Sequence, residues 1–174
     1  EIVGIGAGAT WAADNRTVFY VTEHPVTKRP DTLWRLALGG QPVKVHEETD
    51  ERFSIGVGRT KDKKFVVLGS GSTDTWDRRL LPAATPGGEL RPVLPREKGH
   101  KYDVEHRDST LFIRTNRDAR NFRLVTAPLA ANSQQTPKVH RVGLLAVAGS
   151  FSSQTYQGFR EQLREPVDAV IDVL

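Results

Sequence analysis

The chain is 174 residues long, 37% hydrophobic and 26% charged, with a net charge of +4. That length suits about one domain of roughly 100–200 residues built on a single core, and the composition is that of a globular rather than a disordered chain. No apolar run approaches the roughly 18 residues of a membrane span, so no membrane partner is expected; the absence of cysteine excludes disulfides, thiol nucleophiles and Cys-ligated zinc and fits a reducing, cytoplasmic setting.

Glu1–Ala9 has neither a basic start nor a long apolar stretch, so it does not read as a signal peptide. The chain holds no methionine and opens Glu-Ile-Val, which leads us to expect a segment of a longer protein. Within the opening, Gly4-Ile5-Gly6-Ala7-Gly8-Ala9 matches a dinucleotide-binding glycine pattern. That chemistry requires a long helix directly afterwards, with the pyrophosphate at its N-terminus. Asp14-Asn15 turns the chain too soon for such a helix, so no cofactor is expected and the opening reads as a flexible leader.

The next stretch offers four short β-rich runs, Ala9–Ala12, Thr17–Thr22, Thr32–Leu38 and Pro42–Glu47, with Gly39-Gly40 turning the last pair. A second set follows: Phe53–Gly58, Lys64–Ser70, Thr75–Leu81 and Leu90–Leu94, with Pro86-Gly87-Gly88 as its turn. The third set is Tyr102–His106, Thr110–Thr115, Asn121–Thr126 and Lys138–Arg141. Val, Ile, Phe, Tyr and Thr bounded by Gly, Asp, Asn and Pro are strand and hairpin signals, without the 3.6-residue stripe of an amphipathic helix. In the remainder, Gly143–Ala148 suits the first strand of a fourth unit. Tyr156, Phe159 and Leu163 lie at helical spacing ahead of Pro166, while a ragged strand through Gln157-Gly158-Phe159 fits equally well.

These sets repeat. Strong strands follow turn-forming aspartates at Val18, Phe65 and Leu111, in steps of 47 and 46 residues. A second marker, Arg35, Arg79 and Arg123, steps by 44 and 44. Four antiparallel strands per repeat of that length are the mark of a β-propeller blade, and a blade needs neighbours to bury its two apolar faces. Phe65–Leu68, apolar at every position, suits a strand sandwiched between two blades. The expected fold is therefore all-β, one partial propeller over residues 1–174, with blades near 9–48, 53–95 and 101–141 and a partial fourth over 142–174. Closed propellers have about four to eight blades.

The wording of the repeats is more specific than their period. The segment Trp11–Val21 resembles oligopeptidase B of the prolyl oligopeptidase family of serine peptidases, as do Glu47–Phe53, Gly69–Thr75 and Pro95–Tyr102. Val104–His106, Phe112–Asn116 and Asn121–Val125 continue the resemblance in the same order, to about Pro128. The resemblance implies the propeller lid of such an enzyme, partnered by an α/β-hydrolase catalytic domain and gating short peptide substrates, with cleavage after Arg or Lys. Only the lid is matched. No Gly-x-Ser-x-Gly nucleophile elbow occurs in the sequence, so no catalytic residue is assigned. The opening Glu1–Gly8 and the tail beyond Ala148 depart from the pattern. The competing expectation is a stand-alone binding or scaffold module, in which two half-propellers form a homodimer to close a ring.

Other groupings carry little chemistry. His106, Asp108 and Ser109 are too crowded in one hairpin to align as nucleophile, base and orienter. His24, His46, His100 and His140 lack paired metal-ligand spacing, so no metal is expected. Gly69-Ser70-Gly71-Ser72 lacks the ending of a phosphate loop and reads as a polar inter-strand loop. Asp50-Glu51-Arg52, Asp103 and Glu105 fall near first-strand positions, where they read as a solvated rim beside the channel. The basic excess is dispersed, and Lys61, Lys63 and Lys64 around Asp62 read as a solvated turn, so no nucleic acid is expected as partner.

Overall fold

Turn chemistry sets the strand boundaries. Asp14 accepts hydrogen bonds from the Arg16 and Thr17 amides, each at 2.9 Å, and from the Thr17 hydroxyl at 2.7 Å. Asp62 does the same one repeat later, accepting from the Thr60 hydroxyl at 2.6 Å and the Lys64 amide at 3.1 Å. Asp108 and Ser109 both adopt positive φ, 49° and 62°, between the paired residues Arg107 and Thr110. Two consecutive left-handed residues make the tight turn that matches strand twist, and Asp tolerates that conformation well.

The computed structural model describes residues 5–129, which form three antiparallel sheets and, among the described residues, no helix. Blade 1 comprises β1 (Ile5–Trp11), β2 (Thr17–Glu23), β3 (Pro30–Ala37) and β4 (Val43–Glu47). Blade 2 comprises β5 (Ser54–Arg59), β6 (Phe65–Gly71), β7 (Trp76–Pro82) and β8 (Arg91–Pro92). Blade 3 contributes β9 (Tyr102–Arg107), β10 (Thr110–Thr115) and β11 (Arg123–Pro128). Each sheet keeps its strands in sequence order, so every connection within a blade is a hairpin and β1, β5 and β9 are edge strands. The predicted strand Lys138–Arg141 and the segment 142–174 lie outside the described residues.

Two elements differ from the sequence expectation. The glycine-rich opening is not a free leader from Ile5 onward; it is β1, paired with β2 through Ile5↔Thr22 and Ala9↔Tyr20 with a shift of register between them. Gly8 sits in that irregularity at φ +100°, and a Cβ there would lie 3.1 Å from the Val57 carbonyl of blade 2. Only glycine fits both the backbone and the close approach. At the other extreme β8 is two residues long, shorter than Leu90–Leu94. Pro92 has no amide to extend the ladder, and the Tyr102 hydroxyl of blade 3 takes over beside it. That hydroxyl lies 3.1 Å from the Arg78 amide, 3.2 Å from the Leu94 amide and 3.1 Å from the Leu94 carbonyl.

The core is split between two blade interfaces, and β6 supplies both. Val66 and Leu68 join Phe19, Val21 and Leu33 of blade 1. Phe65 and Val67 join Tyr102, Val104, Leu111 and Ile113 of blade 3. Alternate residues of a strand point to opposite faces, so a strand covered on both faces reads as an unbroken apolar run. The sandwiched reading of Phe65–Leu68 is what the packing shows.

The repeat markers hide a one-residue offset. The equivalent turn bonds run from the Ala12 amide to the Thr17 carbonyl (2.8 Å) and from the Thr60 amide to the Phe65 carbonyl (3.0 Å). Phe65 therefore matches Thr17 rather than Val18. An offset of one residue reverses the face. Arg35 on β3 shares its face with Leu33 and looks toward blade 2, whereas Arg79 on β7 shares its face with Leu81 and looks back toward blade 1.

Candidate functional site

A buried polar clip joins blades 1 and 2. Glu48 follows β4, Ser70 lies on β6, Asp77 on β7, and Arg96 on the segment after β8. Ser70, Asp77 and Glu48 are 1%, 3% and 5% exposed. The Arg96 guanidinium donates to both carboxylates and, at 3.0 Å, to the Ser70 hydroxyl, which itself donates to Glu48 at 2.7 Å. The same guanidinium lies 4.0 Å from the centre of the Phe53 ring, a cation–π contact. Burial pushes the Glu48 carboxyl up, but the bonds from Arg96 and Ser70 outweigh it and hold the group below its ordinary value. Arg29 adds a second stitch, donating to the Phe53 carbonyl at 2.6 Å and the Glu48 carbonyl at 3.0 Å.

A second polar layer spans blades 2 and 3 beside the edge strands β5 and β9. Arg78 and Arg114 both bind Asp103, Arg114 at 3.1 Å. Trp76 stacks on Phe122 with ring centres 6.3 Å apart, and Arg114 lies 4.4 Å from the centre of the Phe122 ring. Trp76, Arg78, Asp103 and Arg114, together with Gly56, Gly69 and Gly71, line a crevice of about 380 Å³. A Cβ on Gly69 would lie 3.2 Å from the Arg78 guanidinium, so the bare strand is what lets that side chain lie flat. The crevice presents charge and aromatic surface between blades 2 and 3, with Gly56 of β5 and Asp103 of β9 at its edge-strand side.

The groupings suggested by the sequence separate in space. His106 does not meet Ser109: its Nδ1 lies 2.6 Å from Asp62 across the blade 2–blade 3 joint, and its ring packs against Phe65 at 4.8 Å. Asp108 is exposed and paired with Arg107. His24 accepts two amides of its own turn, and His100 lies 2.7 Å from the Thr115 hydroxyl. Burial, then the charge of Arg117, holds His100 below its ordinary value. His140 lies outside the described residues, and among those described no three His, Asp or Glu side chains converge as a metal set. Of the expected rim residues, Asp50 is paired with Arg52, whose hydrogen bonds lower its carboxyl to about 2. Glu105 instead accepts the Lys61 amide at 3.0 Å, so it and Asp103 tie blades together. The clip residues Glu48, Ser70, Asp77 and Arg96 do not stand out in the sequence as a group, although three of them fall inside the motifs Glu47–Phe53, Gly69–Thr75 and Pro95–Tyr102. Among the described residues no helix is long and apolar enough to cross a membrane.

Comparison with known proteins places this architecture. Residues 2–142 match the family model described as prolyl oligopeptidase, N-terminal beta-propeller domain. The match takes in most of the opening, which by its wording departs from the pattern. Dipeptidyl aminopeptidase BI of Pseudoxanthomonas mexicana is 38% identical over 129 residues, 72% of this chain and 18% of that protein. Oligopeptidase B from Leishmania major superposes with a TM-score of 0.66 at 32% identity, over 72% of this chain and 18% of that one. Oligopeptidase B from Trypanosoma brucei gives 0.67 at 32% identity, over 73% and 19%. The chain thus spans under a fifth of the length of these relatives. With stacked four-stranded blades, motifs in the same order and a family model that covers most of its length, the chain belongs to the prolyl oligopeptidase family, as an oligopeptidase-B-like region of the N-terminal β-propeller.

Proposed function

We propose that this chain is the lid portion of a cytoplasmic serine oligopeptidase, one that cleaves short peptides after Arg or Lys. In this reading all of residues 1–174 belong to one partial propeller, with blades near 9–48, 53–95 and 101–141 and the start of a fourth beyond. The blades stand over an α/β-hydrolase domain outside this chain, admit short peptides and exclude folded protein. Residues of this chain contribute no catalytic group; their work is to hold the blades together and line the approach. The observation that carries the reading is the family match over residues 2–142, laid on blades joined by buried polar clips.

A lid must stay closed to discriminate by size, so the clip between blades 1 and 2 is where discrimination is open to test. In the peptidase carrying this chain, Arg96→Ala is expected to raise hydrolysis of a folded protein relative to a short Arg-terminated chromogenic peptide, by severalfold. An unchanged ratio in a variant whose blades have loosened, as measured by hydrogen exchange, contradicts the gating role. The purified chain alone is expected to release no chromophore above the buffer rate, and sustained turnover by it overturns the proposal.

A further inference from the structure

The offset that turns Arg35 and Arg79 toward each other creates a feature the lid role does not use. Both line a crevice of about 370 Å³ between blades 1 and 2, together with Lys44, His46 and one carboxylate, Glu89. Among the described residues neither Arg35 nor Arg79 pairs with a carboxylate. Arg35 donates to the Pro86 carbonyl at 2.7 Å, while the Nε of Arg79 is buried without a partner, as is the Nε2 of His46. The nearby acids are engaged elsewhere: Glu89 accepts from Arg91 at 3.0 Å, Glu47 from Lys44 at 2.6 Å, and Glu48 and Asp77 both bind Arg96. One oxygen of Asp77 stays unpartnered, yet it forms no ion pair with Arg79.

The Nε groups of Arg29 and Arg123 are also buried without a partner, but those side chains pair with Asp31 and Asp118, whereas Arg79 has no carboxylate. An orphaned buried donor of that kind calls for an explanation such as a bound ion. Gly87 and Gly88 line the crevice beside Arg35, and a Cβ on Gly87 would be in ordinary contact with its guanidinium at 3.6 Å. Burial, then the charge of Arg79, holds His46 below its ordinary value against the opposing pull of the Glu48 and Asp77 carboxylates. We propose that this crevice is a binding site for a small tetrahedral oxyanion such as phosphate, held between the Arg35 and Arg79 guanidinium groups with His46 beside them. The forked donors of Arg suit such an anion. Bound there, it bridges blades 1 and 2 and removes the repulsion between their two cations.

The test is calorimetric titration of the full chain with inorganic phosphate at fixed ionic strength, alongside thermal melts in phosphate and in chloride. One-to-one binding is expected, with a midpoint rise of about 3–6 °C at tenfold the dissociation constant. Arg79→Gln and Arg35→Gln are each expected to weaken binding about tenfold or more. Arg79→Gln should melt no lower than the unaltered chain in chloride, whereas Arg35→Gln also loses its bond to the Pro86 carbonyl and is read by its binding and its phosphate-induced rise alone. Sulfate should substitute for phosphate. Acetate binding as tightly as phosphate overturns the tetrahedral assignment. Absence of binding, or an equal midpoint rise in the unaltered chain and both variants, overturns the site, because excluded salts stabilise any fold in that undirected way.

Discussion

Arg96→Ala destabilises the chain by about 3 kcal/mol at neutral pH, lowering the thermal midpoint by roughly 6–12 °C. The variant strands two carboxylates whose side chains are only 6% and 4% exposed, Glu48 and Asp77, neither of which forms another ion pair among the described residues. Removing one partner of a buried ion pair costs about 3–5 kcal/mol, and the lower figure applies because Arg96 itself keeps 29% exposure. Arg96→Lys should recover part of the loss, since one ammonium cannot fork to both carboxylates. The pH dependence has a definite sign. Glu48 is held below its ordinary 4.5 in the folded chain, so its contribution is present above that value and lost as pH falls through the folded one. Without Arg96, burial raises the Glu48 carboxyl instead, and a protonated carboxyl is less costly to bury. The gap between the unaltered chain and Arg96→Ala should therefore be widest at neutral pH and narrow below about pH 4.5. Chemical denaturation across that range measures it, and a gap below about 1 kcal/mol at neutral pH contradicts the clip.

Leu68→Ala should cost about 2–5 kcal/mol, the range for truncating a packed core leucine. Leu68 is fully buried among Phe19, Val21, Leu33 and Leu81 at the blade 1–blade 2 interface. Its neighbour Val67 points the other way and is only half-buried against the blade 3 cluster, so Val67→Ala should cost about 1 kcal/mol or less. In stacked repeats each unit is stabilised by its nearest neighbours. Hydrogen exchange should therefore accelerate most in β2 and β3 for Leu68→Ala, and in β9 and β10 for Leu80→Ala, whose side chain lies in the other cluster. Equal acceleration across all three sheets in both variants would contradict two separable interfaces.

How much of this is legible in the sequence follows from the range of the interactions. Strands are readable because β-rich runs and Asp turns are local: Asp14, Asp62 and Asp108-Ser109 act within a few residues of themselves. The two-faced packing of Phe65–Leu68 is readable because the strand period is two and every position is apolar. The clip is not, because its bonded pairs among Glu48, Ser70, Asp77 and Arg96 lie 19 to 48 residues apart and converge only when blades stack. Its trace is still there, since three of the motifs that resemble the family each carry one of its groups. The shortness of β8 is hidden for a similar reason, as it depends on a Tyr102 hydroxyl from the next blade. Aligning Arg35 with Arg79 gives a tidy period but the wrong face. A step of 44 residues cannot reveal an offset that appears only in the ladder, and the oxyanion crevice depends on that offset.

Lid, clips and crevice all require blades that follow one another around an axis, with β1, β5 and β9 each forming the sheet edge nearest to it. A crystal structure of the intact protein tests this most directly. Blade 1 should superpose on blade 2, and blade 2 on blade 3, by successive rotations of similar size about one shared line, roughly 45–90° for rings of four to eight blades. Sheets related by translation, or packed face to face in pairs with no line in common, would contradict it.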